Sequence, residues 1–248
     1  MKKLALILSV FLLNLSALWA QDTLPAPSTY RVNGVTFKMV RVEKGDFWMG
    51  AQHLDTADFN FDRLSQSDEM PVHFVSIKDD FYIGQTEVTQ KLWKAVMGNN
   101  PSKKKCPKRP VENVSYYDVM EFIEVLDSLT GMHFRLPTEE EWEFAARGGN
   151  HSRHYIYSGS DKLKRVAWFN GNARRTKKVG KRAANELGIH DMSGNVLEWC
   201  SDYYGDYSSA SQTNPKGPTS GSYRVLRGGS WCYIAARCRV SYRSRYSP

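Results

Sequence analysis

The chain has 248 residues and a formal net charge of +8, with 34 Lys and Arg against 26 Asp and Glu. Hydrophobic residues make up 41% and charged residues 24%, a globular balance that excludes wholesale disorder, collagen and a coiled coil. The length is enough to bury a core without disulfides. We find no internal repeat, linker or second core, so we predict one domain.

The first twenty residues predict a secretory signal peptide. Lys2 and Lys3 precede an apolar run at 4–13, and small residues at 17–20 lead us to expect cleavage near Ala20. That run is too short to span a bilayer, and no later segment is apolar enough to do so. We therefore expect no transmembrane segment and a periplasmic or secreted protein.

The predicted destination is oxidising, so the four cysteines can pair there. They are Cys106, Cys200, Cys232 and Cys238. Three pairings are possible, and their spacing does not choose among them. No C-x-x-C pair and no His at ligand spacing accompanies them, which disfavours zinc.

Positive charge is clustered in two runs and at the C-terminus. The runs are KKKCPK at 103–108 and RRTKKVGKR at 174–182, and six arginines follow between 224 and 245. The clusters indicate either an anionic partner or simply solvated loops. Nucleic acid is disfavoured because the chain is predicted to be secreted and has no groove-reading helix.

Alternating apolar residues predict strands in the first third of the chain. Residues 21–33 are polar and predict a mature N-terminal tail. Alternation over 35–39 and an apolar run at 47–49 predict a hairpin, and residues 72–76 and 81–83 predict another strand pair.

Capping signals predict three helices. Thr89 precedes the first helix and Gly98 ends it, while Ser115 and Thr138 begin the next two with an acid three residues later. Over 150–248 the hydrophobic residues no longer recur at regular helix or strand spacing. So long a stretch of loops needs ions, disulfides or dense aromatic packing to fix it.

Five strings carry the strongest signal. They are FYIGQTEVTQKLWKAVMG (81–98), RPVENVSYYDVMEFI (109–123), FRLPTEEEWEFAARGG (134–149), NELGIHDMSGNVLEWCSDYYG (185–205) and RVLRGGSW (224–231). Together and in this order they resemble the formylglycine-generating enzyme (sulfatase-modifying factor) family over roughly 32–248. The resemblance implies an α+β fold, a large loop-rich variant of the C-type-lectin-like fold, with its domain over 34–248. Family members usually continue past a Ser-Pro like that at 247–248 into a closing strand, so we expect the domain to be C-terminally short.

The resemblance implies one structural calcium site. The carbonyls of Ser193, Gly194 and Val196 and the carboxylate of Glu198 would hold the ion, a donor set that suits a hard cation. The alternative is a buried salt bridge between Glu198 and an arginine. The family's other calcium site uses an Asn where this chain has Ala167, so we do not expect it.

Active family members oxidise a substrate cysteine to formylglycine with oxygen and copper(I). Two cysteines soon after the RGGS string hold the copper, because soft thiolates suit Cu(I). Here Cys232 directly follows Trp231, and five residues separate it from Cys238, so neither position fits the family pair. Ser230 and Trp199 match positions near the family's active cleft.

The resemblance also assigns Cys238 a different role. The string CRVSYR (238–243) resembles a later family cysteine that forms a structural disulfide. Its usual partner is lost, because this chain has Ala145 and Ala146 there. Cys200 is our candidate substitute, giving a Cys200–Cys238 bridge.

We therefore expect a non-catalytic, calcium-stabilised binding or scaffold protein. Its partner would be a protein or an anionic glycan, recognised by the basic loops and by Tyr203, Tyr204, Tyr207 and Tyr223. The alternative is a copper-dependent oxidase that converts a sulfatase cysteine to formylglycine through Cys232 and Cys238. Sulfoxide synthases with this fold use non-haem iron and an additional helical domain. The scattered histidines here show no facial-triad spacing, which disfavours that class.

Overall fold

The computed structural model describes residues 26–248, so the predicted signal peptide lies outside the described residues. The strands are β1 (Ser28–Val32), β2 (Val35–Val42), β3 (Gly45–Met49), β4 (His73–Ile77), β5 (Phe81–Gly84), β6 (Glu198–Tyr203), β7 (Gln212–Thr213), β8 (Arg224–Arg227) and β9 (Ser244–Tyr246). The helices are α1 (Gln90–Met97), α2 (Tyr116–Thr130), α3 (Glu139–Ala146) and α4 (Leu163–Val166). None of the helices in this range has the length and apolarity that crossing a bilayer requires.

The strands form three separate three-stranded sheets, in the orders β1-β2-β5, β3-β4-β7 and β6-β8-β9. All neighbours are antiparallel except β4 and β7, which are parallel. Helices and small sheets together make this an α+β fold, as predicted.

The predicted mature tail contains strand β1, which pairs with β2. The two strands meet at Asn33 and Gly34, which have φ values of 45° and 76°. An Asn-Gly pair between two strands is a strong hairpin signal, because both residues tolerate positive φ. The prediction from sequence missed this hairpin. Strand β1 therefore lies before residue 34, within the segment predicted to be a tail.

The predicted hairpin of β2 with β3 is wrong, and so is the predicted pairing of β4 with β5. β2 pairs with β1 and β5, whereas β3 pairs with β4. Val42 at the end of β2 and Met49 at the end of β3 are both fully buried in one core cluster. The chain therefore turns between two sheets that share a core. Alternation identifies a strand but does not identify its partner.

The three predicted helix starts are confirmed. Thr89, Ser115 and Thr138 each accept a hydrogen bond from a main-chain N–H in the first turn, and Ser115 and Thr138 belong to complete capping boxes. α1 and α2 pack together through Trp93 and Phe122, whose stacked rings lie 4.9 Å apart. α3 occupies the middle of the molecule.

The main core cluster surrounds α3. Trp142 and Ala145 are fully buried there, together with residues from β2, β3, β4, β6 and β8. A second cluster joins α1 and α2 to the first sheet, and a third lies under the loops around α4. The loop-rich half of the chain is thus folded around a helix from the first half.

Three arginines predicted to belong to a basic C-terminal surface are instead buried. They are Arg227, Arg239 and Arg243, with 0%, 0% and 3% of their surface exposed. Each pairs with a glutamate from the first 150 residues: Arg227 with Glu143, Arg239 with Glu69 and Arg243 with Glu139. These ion pairs join the C-terminal segment to the front half of the chain.

A turn at Gly194 is fixed against Trp168. Gly194 has a φ of +84°, and a Cβ on it would lie 2.3 Å from the Trp168 carbonyl oxygen. The next residue, Asn195, donates its main-chain N–H to the same oxygen at 2.8 Å. Only glycine fits this position, because both the backbone conformation and the close contact exclude a side chain.

Replacing Arg239 should strongly destabilise the fold. Its guanidinium donates to Glu69 at 2.7 and 2.5 Å and to Asp62 at 2.8 Å. Arg239→Leu would leave the fully buried Glu69 carboxylate without its partner, so we expect a loss of about 3–5 kcal/mol in the free energy of unfolding. Urea denaturation measures this loss.

The matched control is Arg135→Leu. Arg135 also pairs with a glutamate, Glu141, but its side chain is 58% exposed. We expect it to cost no more than about 1 kcal/mol. Equal losses in the two variants would contradict the role given to the buried pair.

Gly194→Ala should cost more than Gly188→Ala. Both glycines have positive φ, +84° and +80°, but nothing lies within 4 Å of a Cβ on Gly188. Gly188→Ala therefore measures the backbone cost alone, about 1 kcal/mol. Gly194→Ala adds the clash with Trp168, so we expect at least about 2 kcal/mol more. Similar losses from the two variants would show that the turn is not tightly packed.

Candidate functional site

The turn at Gly194 receives a carboxylate from a distant segment. Glu87 lies between β5 and α1. Its Oε2 accepts a hydrogen bond from Asn195 Nδ2 at 2.7 Å, and its Oε1 accepts one from the Val196 N–H at 3.1 Å. The predicted calcium segment is thus hydrogen-bonded to a second acidic residue, Glu87, which sequence reasoning missed.

Glu198 begins β6 and lies in the same buried region. Its Oε2 accepts a hydrogen bond from Trp142 Nε1 at 2.8 Å. The alternative of a salt bridge with an arginine is not found: none of the ion pairs in the described part of the chain includes Glu198. Burial, with a smaller contribution from the nearby Asp191 carboxylate, raises the pKa of Glu198 to about 7.

Asp191 is the third acid of this group and was also missed. It has a φ of +64° and accepts a hydrogen bond from the Gly180 N–H on Oδ2 at 2.6 Å. Its Oδ1 is buried without a hydrogen-bond partner. Burial raises the pKa of this carboxyl as well. Asp191 stands two residues before Ser193 in a string already singled out, so a search for further acids there would have found it.

None of the ion pairs within residues 26–248 includes Glu87, Asp191 or Glu198, whose three carboxylates we call the carboxylate cluster. Burial raises the pKa of Glu87 well above its usual value, and Asp191 and Glu198 raise it further. The other main groups acting on Glu87 are N–H donors, and no lysine or arginine is among them. A hard divalent cation would neutralise this charge and would take oxygen ligands.

The cluster is not a site made of side chains alone. Within residues 26–248, no group of three or more His, Cys, Asp or Glu side chains converges closely enough to hold a metal ion. The side chain of Ser193 accepts from the Ser158 N–H at 3.1 Å, so its hydroxyl is already engaged. A cation here would therefore need main-chain oxygens beside the unpartnered Asp191 oxygen.

Cys232 and Cys238 differ sharply in their surroundings. Cys232 is exposed, and its Sγ lies 3.2 Å from Ser230 Oγ. Cys238 is fully buried in the cluster around α4. Burial raises the pKa of Cys238 to about 12; the Ser230 N–H opposes this effect, and Cys232 adds to it. The two do not form a pair of open thiolates.

The predicted Cys200–Cys238 disulfide is not present in this structure. All four cysteines are free. Cys200 is fully buried in the main core around Trp142, whereas Cys238 belongs to the separate cluster around α4.

Trp199 and Ser230 have packing roles in this structure. Trp199 Nε1 donates to the Val114 carbonyl at 3.3 Å, and its ring meets Tyr116 edge-on at 5.8 Å. Ser230 is buried, with 8% of its surface exposed. Its hydroxyl lies 3.2 Å from the Cys232 sulfur.

All four predicted recognition tyrosines have an arginine guanidinium over the ring; over Tyr223 it is that of Arg245, at 5.7 Å. Arg224 stacks on Tyr203 at 3.5 Å, and Arg243 lies over Tyr204 and Tyr207 at 4.5 and 3.9 Å. Tyr223 is 45% exposed. The tyrosines at 203, 204 and 207 therefore serve mainly to shield arginines.

Comparison with known proteins identifies the family. The profile of the sulfatase-modifying factor enzyme 1-like domain matches residues 27–248. The chain is 34% identical to the chaperone protein LppX of Paenibacillus barcinonensis over 220 residues, covering 67% of this chain and 75% of that protein. It is 30% identical to the formylglycine-generating enzyme of Mus musculus, covering 83% of this chain and 61% of that enzyme.

Other relatives carry the domain within longer proteins or show the same fold. The match to the serine/threonine-protein kinase pkn1 of Chlamydia pneumoniae is 37% identical but spans only 22% of that protein. Treponema denticola variable protein 1 superposes with a TM-score of 0.75 at 34% identity, covering 90% of this chain and 94% of that one. PvdO from Pseudomonas aeruginosa gives 0.74 at 22% identity, with the same two coverages.

These matches confirm the resemblance seen in the five strings and the fold that it implied. The chain belongs to the family of sulfatase-modifying factor (formylglycine-generating enzyme) domains.

Proposed function

We propose that this protein is a non-catalytic member of the family, a calcium-stabilised binding or scaffold domain that acts in the periplasm or outside the cell. The observation that carries the proposal is the full burial of Cys238 beside an exposed Cys232. Copper(I) held by two thiolates in an open cleft needs both sulfurs accessible. Here one thiol is enclosed by apolar side chains, and burial raises its pKa to about 12.

The rest of the region supports the same proposal. Ser230 and Trp199 are engaged in packing and in hydrogen bonds to their neighbours. Because the residues present do not fit a copper pair, we derive no oxidation step for this chain. LppX is named a chaperone and the Treponema protein a variable protein, so relatives with this domain carry names other than that of an oxidase.

Calcium completes the proposal as a structural ion. The carboxylates of Asp191 and Glu198 and the main-chain carbonyls of Ser193, Gly194 and Val196 would hold it, with Glu87 beside them, bound to Asn195 and Val196. Asp191 is buried and Glu87 and Glu198 are half-buried. Carboxylates this close together oppose folding at neutral pH unless they are protonated or matched by a cation. Bound calcium would supply that charge and join β6, the Gly194 turn and the segment before α1.

The non-catalytic assignment predicts that a cysteine peptide will survive exposure to the protein. We expect no aldehyde when the reduced protein, loaded with Cu(I) under air, is incubated with a C-x-P-x-R peptide. Mass spectrometry of the peptide measures this. The mouse formylglycine-generating enzyme, assayed in parallel, shows that the conditions support the reaction.

Aldehyde formation that is lost in Cys232→Ser and retained in Cys106→Ser would overturn the proposal. Cys106 is the matched control because it is a second thiol outside the core. It also belongs to a different segment from Ser230 and Cys232.

Calcium should raise the melting temperature and a chelator should lower it. At 100 to 1,000 times its dissociation constant, a ligand bound only by the folded state adds about 2.7–4.1 kcal/mol of stability. We expect Glu198→Gln to remove most of this response. Differential scanning calorimetry with calcium or EGTA measures it.

Glu124→Gln is the control, because Glu124 is exposed on α2. It should respond to calcium as the unmodified protein does. A melting temperature that EGTA leaves unchanged would refute the calcium site.

A further inference from the structure

Two basic runs that are distant in sequence meet around one cleft. Lys104 from the run 103–108 lines it, together with Arg174, Arg175 and Lys177 from the run 174–182. The cleft has a volume of about 500 Å³. The runs are also joined directly, since the Val179 N–H donates to the Lys108 carbonyl at 3.0 Å. Neither run alone indicated this convergence.

Hydrogen bonds to the rest of the protein fix the loop that carries Arg174 and Arg175. Asn172 accepts a hydrogen bond from the Phe169 N–H at 2.9 Å and donates to the Ala167 carbonyl at 3.0 Å. At the other end, the Lys177 N–H donates to Asn195 Oδ1 at 2.8 Å. Asn195 belongs to the fixed turn beside Gly194, so the cleft is built on the rigid part of the molecule. The main chain that carries the cations is therefore held in position before a ligand arrives.

The positive charge in the cleft is not neutralised by the protein. No Asp or Glu lines it. None of the four cations takes part in a salt bridge within residues 26–248. Glu112 accepts, at 3.4 Å, only from the main-chain N–H of Lys104. Four like charges around a concave surface focus a positive potential that attracts anions.

The other residues that line the cleft indicate what kind of molecule would carry the anionic groups. Asn170 is exposed, and its side-chain amide makes no hydrogen bond in the described part of the chain, so it is free to bind a hydroxyl. The volume is that of a small-ligand site rather than of an extended peptide groove. No aromatic side chain lines the cleft, so it offers no platform on which bases could stack.

We propose that this cleft binds a saccharide that carries two or more sulfate or phosphate groups. The guanidiniums of Arg174 and Arg175 would bind oxyanions bidentately, with Lys104 and Lys177 adding charge and Asn170 binding a ring hydroxyl. The inference rests on the proposed function, because it gives the binding domain its ligand.

The test is isothermal titration calorimetry of the calcium-loaded protein with a heparin-derived tetrasaccharide. The desulfated tetrasaccharide, a phosphorylated oligosaccharide and a glutamate-rich peptide are the comparison ligands. We expect binding to the sulfated or the phosphorylated sugar, and the tighter of the two identifies the source of the oxyanion. Arg174→Ala/Arg175→Ala should weaken that binding by about tenfold or more, because each loses a charge-assisted contact.

Lys178→Ala/Lys181→Ala is the matched control. It removes two exposed cations from the same run, but neither residue lines the cleft. An equal loss of affinity in the two double variants would show diffuse attraction and overturn the site. So would failure to bind either charged sugar, equal binding of the desulfated sugar, or tighter binding of the acidic peptide. None of these outcomes depends on the peptide oxidation assay, so a failed cleft leaves the non-catalytic assignment standing.

Discussion

The carboxylate cluster of Glu87, Asp191 and Glu198 is the constraint on which the loop-rich half of the structure depends. Elsewhere, the buried glutamates Glu69, Glu139 and Glu143 are each matched by a buried arginine. In the cluster, N–H donors from the Gly194 turn, from Trp142 and from Gly180 are the observed partners. Donated hydrogen bonds orient carboxylates but do not cancel their charge. A divalent cation would do both, which is why calcium is central to the proposed function.

The same turn links the proposed ion to the rest of the molecule. Gly194 is pressed against Trp168, and Asn195 connects Glu87 on one side to the Lys177 main chain on the other. The basic cleft is therefore built directly on the turn. The segment that would provide copper ligands in an oxidase packs instead into the cluster around α4, through Cys238. The proposed function rests on these two features together: a rigid turn that supports the basic cleft, and a Cys238 thiol that is buried.

The sequence predicted the family, the fold class and the three long helices, because caps and ordered motifs are local signals. It did not predict which strands pair, since alternation is the same whichever neighbour a strand has. The carboxylate cluster was only partly predicted: Glu198 was found through its motif, whereas Glu87 reaches the turn from a distant segment. The basic C-terminus was misread for a related reason. Arg239 and Arg243 look like surface charges until their buried acidic partners are known.

The most direct test is the calcium content of the purified protein, measured by elemental mass spectrometry after dialysis against micromolar calcium. We predict one calcium ion per chain, and a marked loss of calcium in Glu198→Gln and in Glu87→Gln. A protein that folds with a cooperative transition and contains no calcium would contradict the central claim. So would a calcium content that neither substitution changes.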